Sequence, residues 1–170
     1  NTYSLSNGEV ALVHFRLTDD NSKAEFGIEN SAGQFYGILL QENASGYHRA
    51  YERYKQGTSL LTGAELSGLG NIVRGDWYAA MFYVNASGEL SIRVWRLENA
   101  GLKDAISRVG FSSSNWRYLH KVYYGSFYLD AFAEGFVYNE TETKYGVSVQ
   151  YDHSVLIGST LQGFIDLNVI

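Results

Sequence analysis

Apolar residues alternate with polar or small ones along most of this chain. Clusters of glycine and small polar residues break the alternation every 8 to 15 residues. A period of two places successive side chains on opposite faces, the signature of a half-buried strand rather than a helix. Val10–Leu17 is the first such segment, and Thr18-Asp19-Asp20-Asn21-Ser22 turns the chain after it. Lys23–Glu29 follows, with Ala24, Phe26 and Ile28 on one face and Glu25, Gly27 and Glu29 on the other. Gln34–Glu42 and Tyr47–Tyr54 flank Asn43-Ala44-Ser45-Gly46, and Trp77–Val84 and Glu89–Leu97 flank Asn85-Ala86-Ser87-Gly88. Both connectors have the composition of hairpin turns. Arg117–Tyr124, Phe127–Phe132, Lys144–Tyr151 and Phe164–Ile170 complete the set.

Helix is nearly absent from this pattern. Leu102, Ala105, Ile106 and Val109 fit a 3.6 period, and the same residues fit an irregular strand. Leu60–Ile72, rich in Gly, Ser and Leu, reads as a long connection with a turn of helix at most. The expected fold is therefore all-β: an antiparallel β-sandwich of the jelly-roll kind, formed as a single domain over residues 1–170. Phe26, Ile28, Phe82, Val84, Leu90, Ile92, Val94 and Leu129 are the expected core.

Composition narrows the functions open to such a domain. Of 170 residues, 45% are hydrophobic and 18% charged, enough apolar surface to offset the ordering entropy of a folded chain. The absence of cysteine removes disulfides, thiolate zinc sites and cysteine nucleophiles together. A net charge of −5 argues against nucleic acid or an anionic membrane as the main partner. No apolar run approaches the roughly 18 residues of a membrane span, so no membrane insertion is expected. Asn1 reads as a processed or excised start, and the apolar Phe164–Ile170 as a last strand open to self-association with a neighbour.

Asp76–Asp130 carries an ordered set of features: Trp77-Tyr78 opening a strand, the Ser87-Gly88 turn, Val94-Trp95, Trp116-Arg117-Tyr118, and Gly125 through Asp130. This stretch resembles the concanavalin A-like lectin/glucanase superfamily, as in LamG-like modules of bacterial surface proteins. The resemblance implies a jelly-roll sandwich and an extracellular or cell-surface location. It extends to lectins, glucanases and adhesins alike. Glucanases of this fold carry their carboxylates in an E-x-D-x-E-like strand motif. The nearest match here is Glu25-Phe26-Gly27-Ile28-Glu29, with Gly27 where the family has Asp. Catalysis is therefore not expected, and a divergent glucanase using Glu25 and Glu29 is the alternative.

The aromatic pattern points instead to binding. Tyr47, Arg49, Tyr51 and Arg53 share one face of a strand, as sugar platforms do: rings stack on pyranose C–H groups and guanidinium groups donate to hydroxyls. Arg93 and Trp95 lie opposite the face buried by Leu90, Ile92 and Val94, and form a second candidate contact. Both groups fit equally well a sheet cover in which arginine stems pack on rings and nothing is bound. Asp19, Asp20 and Asn21 offer oxygen ligands for Ca²⁺ but also the hydrogen bonds of an ordinary turn, and no other cofactor is implied. His14, His48, His120 and His153 lack a second ligand at metal spacing. Asn43, Asn85 and Asn139 each begin an N-x-[ST] glycosylation tripeptide in an expected turn. The sequence thus reads as an extracellular module that binds a polysaccharide or glycan, or serves adhesion, without catalysis. A subunit of an extracellular filament or surface layer is the second alternative.

Overall fold

The computed structural model describes residues 2–4, 9–84, 89–112, 115–139 and 144–147. Among the described residues, twelve strands form two six-stranded antiparallel sheets packed as a sandwich. The first sheet runs in the order β1 (Thr2–Ser4), β10 (Asn115–Tyr124), β3 (Lys23–Asn30), β4 (Phe35–Glu42), β5 (His48–Lys55) and β6 (Leu61–Glu65). The second runs β12 (Lys144–Val147), β11 (Phe127–Asn139), β2 (Glu9–Leu17), β7 (Trp77–Val84), β8 (Leu90–Arg96) and β9 (Asn99–Arg108). The all-β sandwich expected from the alternation is the observed fold.

Two hairpins of the first sheet are closed by the same device. In Asn30-Ser31-Ala32-Gly33-Gln34, the Asn30 side-chain oxygen accepts from the backbone N–H of Ala32 (3.1 Å) and Gln34 (3.0 Å). In Asn43-Ala44-Ser45-Gly46-Tyr47, Asn43 accepts in the same way from Ser45 (2.9 Å) and Tyr47 (3.1 Å). Gly33 and Gly46 occupy the same left-handed position, φ 74° and 78°, which glycine reaches without a Cβ penalty. The resulting turns fix the register Phe26↔Ile38 and Ile38↔Glu52 across β3, β4 and β5.

The core lies between the sheets. Phe26, Ile28, Tyr36, Ile38, Leu40 and Ala50 of the first sheet meet Val13, Phe15, Tyr78, Phe82, Ile92 and Val94 of the second. The side chains of Val84 and Leu129, also expected here, lie outside those described. Leu60–Ile72 is more ordered than its composition suggests. It holds β6 and a 3₁₀ turn at Ser67–Leu69, and its apolar residues Leu66, Leu69 and Ile72 join the core. Backbone bonds from Leu66 N–H to the Ala50 carbonyl (2.8 Å) and from Ile72 N–H to the His48 carbonyl (2.9 Å) tie it down. The ambiguous Leu102–Val109 segment is strand: β9 pairs Ile106 with Ile92 and Ala105 with Arg93, so sheet pairing overrides its helical period.

Candidate functional site

Cross-strand partners share a face, so the register of the first sheet fixes its outer surface. One row across it reads Lys121, Glu25, Leu39, Tyr51, Glu65. The next reads Leu119, Gly27, Gly37, Arg53, Thr62, and a third reads Arg117, Glu29, Phe35, Lys55. Gly27 and Gly37 are directly paired at the centre. A Cβ at Gly27 would strike the Tyr36 carbonyl and the Gly37 Cα, and one at Gly37 would meet the Phe35 ring. The two strands thus approach too closely for side chains here. The middle of the face stays low but is not open: the Phe35 ring lies over Gly37, and Gly27, Gly37, Phe35 and Leu39 are all buried.

Around this low centre the charges are paired. Arg53 Nε donates to Glu25 Oε2 at 2.8 Å, Nη1 to Thr62 Oγ1 at 2.7 Å, and Nη2 reaches Tyr123 Oη at 3.5 Å. Burial opposes the Arg53 charge, but the bonds to Glu25 and Tyr123 outweigh it and hold the group above its ordinary pKa. Glu29 pairs with Arg117 (Nε 3.0 Å) and Arg49 with Glu65 (3.1 Å). Glu25 and Glu29 share a face, as the alternation requires, yet their Cα atoms stand about 13 Å apart along the strand. Their carboxylates are drawn in opposite directions, to β5 and to β10. They do not flank one glycosidic bond, which needs carboxyl groups roughly 5 to 10 Å apart.

Tyr123 was not expected as a site residue. The pairing steps from Val122↔Ala24 to Tyr124↔Lys23, so Tyr123 is the extra residue of a β-bulge. The ammonium groups of Lys23 and Lys121 lie 5.1 and 4.4 Å from its ring centroid. No sequence signal marks this cluster, because a bulge depends on the partner strand as much as on its own residues.

Tyr51, Arg49 and Arg53 lie on the expected face of β5, and Tyr47 stands just before the strand, 54% exposed. Both arginines are engaged by carboxylates rather than open to a ligand, which corrects their role from donors to supports. The second expected contact is corrected too. Trp95 lies on the outer face of the other sheet and is 3% exposed, no more open than the core. Ala79, Met81 and Tyr83 of the same face are equally buried. Arg93 stands on that face with its guanidinium 5.9 Å from the Tyr83 ring, so it does not join the β5 row. The overlooked signal is β7 itself: WYAAMFYV is apolar without alternation, the mark of a strand buried on both sides.

One further polar cluster crosses the sandwich. Glu52, on the inner face of β5 and 1% exposed, accepts Nε and Nη2 of Arg108 at 2.8 Å each. The Arg108 guanidinium lies 3.5 Å from the Tyr54 ring centroid. Burial, reinforced by the Glu52 carboxylate, pushes the neighbouring Tyr36 phenol far above its ordinary pKa.

Asp19 caps its own turn by accepting from Asn21 N–H (3.0 Å), and Asp20 pairs with Arg74 (3.0 Å). Those residues thus serve the turn, and among the described residues no group of three or more acidic, His or Cys side chains is placed to hold a metal. His14 is buried and stacked on Trp77 at 4.3 Å, and His48 bonds Ser22. His120 is exposed on β10, and His153 lies outside the described residues. Asn43 uses its side-chain oxygen within its turn, Asn85 lies outside the described residues, and Asn139 ends β11 rather than forming a turn. Among the described residues no helix is long and apolar enough to cross a membrane.

No protein-family model and no curated protein matches this sequence. Solved structures do share its architecture. Scytalido-glutamic peptidase, bound to a peptide-based transition-state analogue, aligns over 89% of this chain and 86% of its own, with TM-score 0.50 and 12% identity. Tailspike protein 2 of Escherichia coli O157:H7 bacteriophage CAB120 aligns over 84% of this chain with TM-score 0.53 and 14% identity. This chain spans only 22% of that tailspike. The likeness is one of fold. It nevertheless overturns the expectation, drawn from Gly27 in place of the glucanase Asp, that the chain is not an enzyme, because a peptidase shares this sandwich architecture.

Proposed function

We propose that the outer face of the first sheet is a polysaccharide-binding surface, at an extracellular or cell-surface location. The observation that carries this reading is the rim around the buried Gly27–Gly37 centre, where Tyr51 stands beside carboxylates fixed by arginines. Glu65 is held in place by Arg49, so it accepts from sugar hydroxyls without first losing side-chain entropy. Tyr51 and Tyr47 supply ring faces for pyranose C–H groups. The resemblance of Asp76–Asp130 to concanavalin A-like modules supports the same reading.

Rings worth about 0.5 to 1.5 kcal/mol each give micromolar to millimolar affinity. Affinity electrophoresis through gels of soluble plant, bacterial and fungal polysaccharides tests the idea. Retardation by at least one polymer, weakened up to about tenfold by Tyr51→Ala with folding intact, is the expected result. Migration unchanged in every gel sinks the reading. Reducing-end assays on the same mixtures report any turnover.

A further inference from the structure

The same face is electropositive although the chain as a whole carries −5. Among the described residues, six cations project from it, namely Lys23, Arg49, Arg53, Lys55, Arg117 and Lys121, against the three carboxylates Glu25, Glu29 and Glu65. Each carboxylate is matched by one arginine. The three lysines therefore form the excess, and none makes an ion pair with a described carboxylate. Two of them, Lys23 and Lys121, converge on the Tyr123 ring that the β10 bulge adds, with the Arg53 guanidinium on its hydroxyl. Like charges gathered at one point raise each other's cost, and a ligand anion relieves that cost. The arrangement differs from a solvated charge run, in which signs alternate and cancel.

We infer that the polysaccharide bound by this face carries carboxylates, as a uronic-acid polymer does, and that Lys23 and Lys121 beside Tyr123 receive them. The inference rests on the polysaccharide reading above and names its ligand class. Tyr51 and Lys121 lie in one row, three strand spacings or about 14 Å apart, the length of a few sugar rings. A ring stacked at Tyr51 thus leaves a neighbouring carboxylate within reach of the lysines. Glu25 does not repel it, because Arg53 neutralises that carboxylate at 2.8 Å. The strongly acidic remainder of the chain favours a sugar polymer over nucleic acid.

The test compares polygalacturonate, the same polymer after carboxyl reduction, neutral laminarin and single-stranded oligothymidylate, by titration at low salt. Polygalacturonate is expected to bind best. Carboxyl reduction should weaken binding at least as much as loss of both lysines. Lys121→Gln and Lys23→Gln should each weaken it about two- to fivefold, the worth of an exposed ion pair, and raising the salt should do likewise. Both variants should melt at the wild-type temperature. Equal binding of the carboxyl-reduced polymer or laminarin, still dependent on Tyr51, overturns the carboxylate inference and leaves the polysaccharide reading standing. Oligothymidylate binding as tightly, with the same lysine dependence, overturns it in favour of general polyanion attraction. Failure of every polymer to bind removes both.

Discussion

The two sheets turn opposite kinds of surface away from the core they share. On the first sheet, the outer face is a grid of ion pairs: Glu25 with Arg53, Glu29 with Arg117, and Glu65 with Arg49. On the second, Leu12, Ala79, Met81, Tyr83 and Trp95 are all buried on the side facing away from the core. Both sheets are antiparallel and similar in size, so strand pairing does not create the difference. The side chains do. β5, HRAYERYK, alternates between Ala50 or Glu52 inside and arginine or tyrosine outside, whereas β7 offers an apolar residue at every position. The charged face presents lysines, arginines and Tyr51 around a buried centre; the apolar one contributes stability.

Replacing Trp95 with alanine should therefore cost about 3 to 5 kcal/mol, as large aromatic deletions at buried sites do, and Ile92→Ala about 2 to 5 kcal/mol. Urea denaturation measures both. If Trp95→Ala costs as little as an exposed substitution, the contrast between the two outer faces collapses.

A second difference is pH dependence. Burial on the second sheet lowers the His14 pKa from 6.5 to about 4. The unfolded chain takes up a proton near 6.5 that the folded chain refuses until about 4. Stability should thus be level above that window and fall as the pH drops through it, by at most about 3 kcal/mol. His14→Gln should flatten this slope between pH 7.5 and 4.5. An unchanged slope would place the titration elsewhere.

The bridge between the sheets lies in between. Glu52→Gln removes the charge that Arg108 meets across the sandwich, and should cost about 2 kcal/mol. This is less than a fully buried pair, because the Arg108 side chain is 28% exposed. A variant as stable as wild type would show Arg108 satisfied by water instead. The smallest effect is expected on the ligand face: Tyr51→Ala should change stability by less than about 1 kcal/mol while weakening binding. A steep drop in melting temperature with unchanged affinity would make Tyr51 a packing residue.

The residues themselves show how far the sequence could be read. Ala24, Phe26 and Ile28 against Glu25, Gly27 and Glu29 defined both faces of β3, and the Asn43–Gly46 turn followed from its asparagine and glycine. The Tyr-Arg row of β5 was legible for the same reason. Trp95 was misjudged because alternation says which side of a strand a residue takes, never whether that side is covered. β6 escaped, and β9 stayed ambiguous between helix and strand, because their strand character comes from pairing with β5 and β8.

By itself, then, the sequence determined the sandwich: a period of two, tight asparagine–glycine turns and enough apolar surface for one layer of core leave few other folds. Only the tertiary structure decided what the surface became. Glu25 and Arg53 are 28 positions apart, and Lys23 and Tyr123 are 100 positions apart. Strand order and a single bulge in β10 bring them together. Local preferences are encoded over a few residues, whereas register and sheet order are set by long-range pairing that no short stretch contains.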